Sequence, residues 1–497
     1  QPPPMLAFAR SAFRPSLSRG SALAQQSRAL AVSHAIRVDN PYTGEIAAEV
    51  PMMSAGEVDA AVARAHEAQR AWATVPVGDR VAACRKALQF FTEFSDSIAT
   101  DISRQMGKPL RQASGEVGGM IDRASAVIDL ATEALQPVVV QDDEQFTRAI
   151  MMEPKGVALV ISPWNYPLLT VVNALFPAIL SGNAVLLKHS ERTPLCGEQF
   201  KCAFEYTGLV PDGLVQALHL APEDTAKLCS DSRVDAISFT GSVATGRKVN
   251  EQVARHPNFA DCTLELGGKD AGYVMPDADV KVAAESLVDG AVYNAGQSCC
   301  AIERIYVHTE VYDEFMGHAL EAVKAYPIGD PMDEGTGLGP MALPTACGVL
   351  ERHVSEAEAA GAKVLVGGKP TQDSTGRGRF FQPTIVADVT SEMSIMREES
   401  FGPIVGVQRV ANDQEAMKLI NDSDFGLTAS LWTTSPQRAS LVGRKLSAGT
   451  IFMNRCDYVD PCLPWVGVKQ SGKGFSVSKF GFNPYIQYKS MHLRKKL

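Results

Sequence analysis

The stretch GVALVISPWNYPLLTVVNALFPAILSGNAVLL, residues 156–187, runs for thirty-two residues without a charge. That is long enough to cross a bilayer, but Pro163, Pro167, Pro177, Gly182, Asn165, Asn173 and Asn183 interrupt it too often for a helix in lipid. It reads instead as a strand at 157–161, a loop, a buried helix at 168–180 and a strand at 184–187, the unit of an α/β fold whose parallel strands are covered on both faces. A second unit follows, with a strand at 234–239, the turn Thr240-Gly241-Ser242, and a helix from Val243 with Gly246 near its start. Small residues at that corner let a phosphate reach backbone N–H groups at a helix N-terminus, where the helix dipole favours an anion. The spacing is neither the G-x-G-x-x-G of the standard dinucleotide fold nor a P-loop, which requires Lys-Ser/Thr after the glycine. Gly335-x-Gly337-x-Gly339 has no strand leading into it and reads as a loop.

Two later stretches carry reactive groups. Tyr293-Asn294-Ala295-Gly296-Gln297-Ser298-Cys299-Cys300 presents a thiol in a small, glycine-hinged loop, and Leu264-Glu265-Leu266-Gly267-Gly268-Lys269 presents a carboxylate at the end of an apolar run. A part-ionised thiol attacks carbonyl carbon well, and a carboxylate partly freed of water can take a proton from a second reactant. The pair supplies a nucleophile and a base.

Upstream, Asn40-Pro41-Tyr42-Thr43-Gly44-Glu45 is turn chemistry between two short extended runs, a hairpin. Ser54-Ala55-Gly56-Glu57 is a capping box ahead of an Ala-rich helix to about Trp72, and further helices reach Leu135 with a break at Gly107-Lys108-Pro109. Residues 136–154 read as a protruding ribbon, and residues 484–493 as a C-terminal strand. A ribbon needs a partner for its edges, which points to self-association.

At 497 residues the chain can form two or three domains around large cores. Its 45% hydrophobic and 21% charged residues are ordinary for a globular enzyme, and a net charge of −9 argues against nucleic acid or an anionic membrane as partner. Ten cysteines show no C-x-x-C pair and no zinc spacing, so they read as free thiols in a reducing compartment, with no metal. The first 35 residues carry Arg10, Arg14, Arg19 and Arg28 among many serines, without lysine or acid, the composition of a mitochondrial targeting segment. A matrix location is expected, with the cytoplasm as the alternative.

These features resemble the NAD(P)-dependent aldehyde dehydrogenase superfamily over nearly the whole chain after the leader. The resemblance rests on Pro163-Trp164-Asn165, Lys188-x-x-Glu191-x-Thr193-Pro194, Phe239-Thr240-Gly241-Ser242, Glu265-Leu266-Gly267-Gly268-Lys269, Gly296-Gln297-Ser298-Cys299 and Glu398-Glu399-Ser400-Phe401-Gly402-Pro403. It implies an α/β fold of three parts: a Rossmann-variant cofactor domain (36–135 and 155–264), an α/β catalytic domain (265–468), and a small β oligomerisation arm (136–154 and 482–497) serving a homodimer or homotetramer. By the same resemblance Cys299 would attack an aldehyde carbon, with Asn165 and the Cys299 backbone N–H holding the oxyanion. Hydride would pass to the nicotinamide, and Glu265 would activate the water that hydrolyses the thioester. Trp164, Lys188, Glu191, Gly241, Ser242, Glu399 and Phe401 would hold the cofactor. A carboxylate at Glu191 accepts from a ribose 2′-OH and repels a 2′-phosphate, so NAD is expected over NADP.

Tyr166, Thr170, Asn173, Tyr293, Ser298, Cys300 and Trp465 would line the aldehyde tunnel. Its aromatic residues, with Asp457 and Asp460 nearby, suit a cationic tail, so an aminoaldehyde or betaine-aldehyde-like substrate is expected, with aliphatic, aromatic or semialdehyde substrates as the alternatives. Relatives that bind a substrate carboxylate tend to place Arg where this chain has Asn173, and Arg455 is the nearest substitute in the sequence. Two further departures, Ala174 for a frequent Lys and Ser476 for a frequent Glu, bear on how a proton leaves Glu265. A cysteine hydrolase would need a His partner, for which only His308 is near in sequence, and a non-catalytic role on this fold would predict loss of the reactive groups.

Overall fold

The computed structural model describes residues 35–496. A six-stranded sheet runs in the order Gly472–Lys473, Asp261–Glu265, Ala236–Thr240, Val157–Ser162, Ala184–His189, Val215–Ala217. Only Gly472–Lys473 is antiparallel to its neighbour. Val157–Ser162 is buried at every position, as a strand between two helical layers must be. The uncharged run therefore folds as strand Val157–Ser162, helix Leu169–Leu180 and strand Ala184–His189, within one or two residues of its sequence pattern.

Strand order reverses beside Val157–Ser162: the chain builds outward through Ala184–His189 and Val215–Ala217, then returns to lay Ala236–Thr240 on the other side. Two connections that leave a parallel sheet in opposite directions open a crevice at the strands' carboxyl ends. Trp164, Lys188, Gly241 and Ser242 all follow or end strands on that edge.

A seven-stranded sheet, ordered Lys363–Val366, Thr384–Ala387, Ile404–Val410, Ile302–His308, Asp270–Val274, Thr428–Trp432, Thr450–Met453, is parallel apart from Lys363–Val366. Each large sheet has its own apolar core, and the two cores meet along one stretch of chain. Leu264, Leu266 and Cys300 belong to the first core, and Ala271, Val292, Ala295 and Ile302 to the second. A seam between two cores is where a cavity costs least, because neither side has to be hollowed out.

The third sheet is antiparallel, Ile486–Arg494 beside Phe146–Pro154 beside Val138–Asp142. It joins the 136–154 ribbon to the C-terminal strand and leaves Val138, Val139 and Val140 exposed.

The amino-terminal region also follows its local signals. Ala35–Asp39 pairs with Ile46–Pro51, and Asn40 Oδ1 closes the turn by accepting from the Tyr42 N–H at 2.8 Å. Asp39 is gripped by both Arg192 and Arg379, which ties this hairpin to both large units. Helix Ala55–Trp72 starts at the Ser54/Glu57 capping box. Gly107, left-handed at φ 82°, ends helix Ser95–Met106 ahead of helix Leu110–Ala134. The leader read over residues 1–35 lies, Ala35 apart, outside the described residues. Among those described, no helix is long and apolar enough to cross a membrane.

Candidate active site

Glycines bring the reactive loops together. A side chain on Gly267 would collide with the Glu399 carboxylate, and one on Gly268 with the Cys299 carbonyl oxygen. The turn after Glu265 can thus lie flat against both loops only because it has no side chains. Its Gly268 N–H donates to Glu399 Oε1 at 3.1 Å. The nucleophile loop leaves helix Val280–Val292 through Asn294, Ala295 and Gly296, three consecutive residues at φ 53°, 56° and 67°. Strain of that kind in two non-glycine residues persists only where surroundings enforce it. Here Asn294 Nδ2 donates to Asn165 O (3.0 Å) and Gln297 O (3.1 Å), and Gly296 packs on the Gly402-Pro403 backbone with no room for a Cβ.

Cys299 opens onto a cavity of about 460 Å³ whose wall also holds Glu265, Tyr166, Thr170, Asn173, Tyr293, Ser298, Cys300 and Trp465. All seven tunnel residues expected from the sequence are in that wall. Asn165 is buried just behind it, next to Tyr166 and bonded through its carbonyl to Asn294; its own side-chain amide has no hydrogen-bond partner among the described residues. Cys300 donates to Asp457 Oδ1 at 3.0 Å, and Ser298 Oγ donates to the same oxygen at 3.0 Å. Contact with Cys299, then burial and Asp457, hold the Cys300 thiol well above the usual range, so it remains a neutral donor. Burial also raises the Glu265 carboxyl, opposed by Ser476, Asn173 and Arg123. Asn173 Nδ2 reaches Glu265 Oε2 at 3.5 Å, the long end of hydrogen bonding. The Ser476 hydroxyl, buried and short of good geometry to any group, still lies near enough to favour the charged form of Glu265.

The helix Leu110–Ala134 was expected as scaffold, but it also contributes Gln112, Glu116, Asp122 and Arg123 to the wall. Its signal was a polar stripe, Gln112, Glu116 and Arg123, at helical spacing beside the apolar stripe Ala113, Val117, Met120 and Ala124. Arg123 Nη1 donates to Leu169 O (3.1 Å) and Asn173 Oδ1 (3.3 Å), and its other nitrogens have no hydrogen-bond partner among the described residues. Arg455 instead stacks on Tyr458, 3.5 Å from its ring, and is not in the cavity wall. Asp460 is also outside it.

Ser242 caps helix Val243–Val253 by accepting from Thr245 N–H, no acid stands in that helix's first turn, and the Gly241 N–H donates to Glu265 O at 3.0 Å. A side chain on Gly241 would strike the Phe239 ring. Lys188 Nζ is 4.0 Å from Glu191, and Trp164 meets Phe401 edge to face with centroids 5.6 Å apart. Glu399 is pushed up to about 8 by burial and by Glu303. Bare helix N–H groups, one lysine and carboxyls at two points suit a dinucleotide, whose phosphates need donors and whose riboses need acceptors. No group of three or more His, Cys, Asp or Glu placed to hold a metal occurs among the described residues.

Residues 30–491 match the model of the aldehyde dehydrogenase family. The chain is 35% identical over 450 residues to an NADP-linked succinate-semialdehyde dehydrogenase of Deinococcus radiodurans, covering 90% of this chain and 93% of that one. It is 33% identical to a mitochondrial succinate-semialdehyde dehydrogenase of Arabidopsis thaliana, covering 91% and 85%. The crystal structure of a succinate-semialdehyde dehydrogenase from Burkholderia pseudomallei superposes with a TM-score of 0.88 at 31% identity, covering 93% and 95%.

Proposed function

The chain belongs to the aldehyde dehydrogenase family of NAD(P)-linked oxidoreductases, and on that premise we propose that Cys299, Asn165 and Glu265 convert a semialdehyde to its dicarboxylic acid. The observation that carries this reading is the shared wall of Cys299, Glu265 and Arg123. Cys299 Sγ adds to the aldehyde carbon, and the oxyanion is met by the Asn165 amide and the Cys299 backbone N–H, donors fixed before charge develops. A bound NAD(P) supplies the acceptor for the hydride lost from that carbon. Cys299 then carries a thioester. Glu265 takes a proton from water, the hydroxide adds to the thioester carbon, and the acid leaves as the thiolate is restored. A carboxyl raised by burial is a stronger base than an ordinary one, which suits that step.

Arg123 supports the semialdehyde reading. Its guanidinium reaches Asn173 from the neighbouring helix, so the cation that carboxylate-binding relatives place at Asn173 is supplied here from elsewhere in the chain. The counterweight is Asp457 with Tyr166, Tyr293 and Trp465, which favours a cationic tail as a second reading. In the same terms the six-stranded sheet is the cofactor domain, the seven-stranded sheet the catalytic domain, and the third sheet an oligomerisation arm. Glu191 beside Lys188 favours NAD, and the leader together with the Arabidopsis relative favours the mitochondrion.

A spectrophotometric panel of succinate semialdehyde, betaine aldehyde, an aliphatic and an aromatic aldehyde, each with NAD and with NADP, tests these readings. The expected result is highest kcat/KM for the semialdehyde with NAD. Arg123→Met should then raise KM for the semialdehyde by roughly tenfold to a hundredfold, as loss of a charge-assisted pair does, and leave KM for the aliphatic aldehyde unchanged. Preference for betaine aldehyde would hand the site to the second reading, and preference for NADP would show Glu191 misread.

A further inference from the structure

A buried ion pair joins Glu116, in the cavity wall, to Lys108, which is not part of it. The side chains of Lys108 and Glu116 are 1% and 2% exposed. Lys108 Nζ is in contact with Glu116 Oε2, donates to Asn165 O at 2.9 Å, and lies 4.1 Å from the centre of the Tyr166 ring. The other Glu116 oxygen accepts from the backbone N–H groups of Leu168 (2.9 Å) and Leu169 (3.3 Å). Helix Leu169–Leu180 has no side-chain cap of its own, so Glu116 caps it from another helix. Asn165 O has a second donor in Asn294 Nδ2, on the loop that leads to Cys299.

An ion pair this deep is costly to desolvate, and an apolar pair of equal volume is often as stable. Its distinctive contribution is directional. Lys108 holds the Asn165 carbonyl, and the second Glu116 oxygen holds the Leu168 and Leu169 N–H groups, while the Asn165 side-chain amide has no hydrogen-bond partner among the described residues. We propose that Lys108 and Glu116 are positioning residues that orient the Asn165 amide toward the oxyanion formed at Cys299. This deepens the reading of Asn165 as an oxyanion donor and rests on it.

The test is a cycle of Asn165→Ala, Lys108→Met and the double variant, read by the rate constant of the NADH burst. Cofactor affinity, Cys299 alkylation by iodoacetamide and thermal midpoint are measured alongside. Asn165→Ala should slow the burst by about 10²-fold or more, as loss of an oxyanion donor does, and Lys108→Met by about tenfold to a hundredfold. Cofactor affinity and alkylation should be unchanged. The double variant should be no slower than Asn165→Ala alone, because both changes act on one group. Lys108→Met/Glu116→Leu removes both charges together, and keeps the test open if a lone buried carboxylate prevents folding. Slow burst in Asn165→Ala with a wild-type burst in that apolar pair, or additive effects in the cycle, would overturn the positioning role. A normal burst in Asn165→Ala would instead overturn the oxyanion reading beneath it.

Discussion

At the scale of single residues, two of the carboxyls that burial raises, Glu265 and Glu399, call for different experiments. Glu265 is raised by burial, and the proposed base would act in deprotonated form, so the acid limb of the turnover profile should lie above the ordinary carboxylate range. Glu265→Gln should give one burst of NADH and then stall, since the thioester forms without a base but is not hydrolysed; steady turnover at the wild-type rate would remove Glu265 from that role. Glu399, pushed up to about 8, holds a proton in the folded state that the unfolded chain releases near pH 4.3. Between those values the native state binds more protons, so stability declines as pH rises, at about 1.4 kcal/mol per unit. Glu399→Gln should flatten that decline in urea unfolding measured across the window, and an unaltered slope would mean that the shift lies elsewhere.

At the scale of elements, the site depends on close backbone approach at the Gly267-Gly268 turn between strand Asp261–Glu265 and strand Asp270–Val274. Gly268→Ala would place a methyl on the Cys299 carbonyl, which is main chain and cannot rotate aside. The expected cost is about 1–3 kcal/mol of stability, the range for overpacking, with a larger loss of turnover because the nucleophile loop must shift. Calorimetry and the burst assay on the same preparation would separate the two, and wild-type values in both would show the turn to be slack. The neighbouring loop has its own restraint: Glu303, paired with buried Lys269, accepts from the Ser400 and Phe401 N–H groups and so holds the segment carrying Glu399.

At the scale of the whole molecule, the three-stranded sheet projects Val138, Val139 and Val140 into solvent, and Thr450–Met453 is the edge strand of the seven-stranded sheet among the described residues. Exposed apolar edges of this kind are covered by another chain or carry an aggregation risk. Light scattering should give the mass of a dimer or tetramer, and truncation before Ile486 should lower it while leaving the cofactor crevice folded. A truncated chain of undiminished mass would place the contact elsewhere.

Much of this was legible locally. The uncharged run 156–187, the Ser54/Glu57 capping box, the Thr240-Gly241-Ser242 corner and the ribbon at 136–154 each follow from neighbours in sequence, because hydrogen-bond periodicity and turn chemistry are short-range. All seven positions that the family resemblance assigned to the tunnel share one cavity wall with Cys299 and Glu265. What sequence could not order was the meeting of distant helices. Arg123 stands fifty residues from Asn173 in the chain and 3.3 Å from it in the fold, and Lys108 is fifty-seven residues from the Asn165 carbonyl that it holds. Sequence thus determined the architecture and the positions of the Cys299 and Glu265 loops, while the placing of Arg123 beside Asn173 and of Lys108 on the Asn165 carbonyl was decided by tertiary packing. Burial and pairing depend on which faces come together, and no local pattern records that.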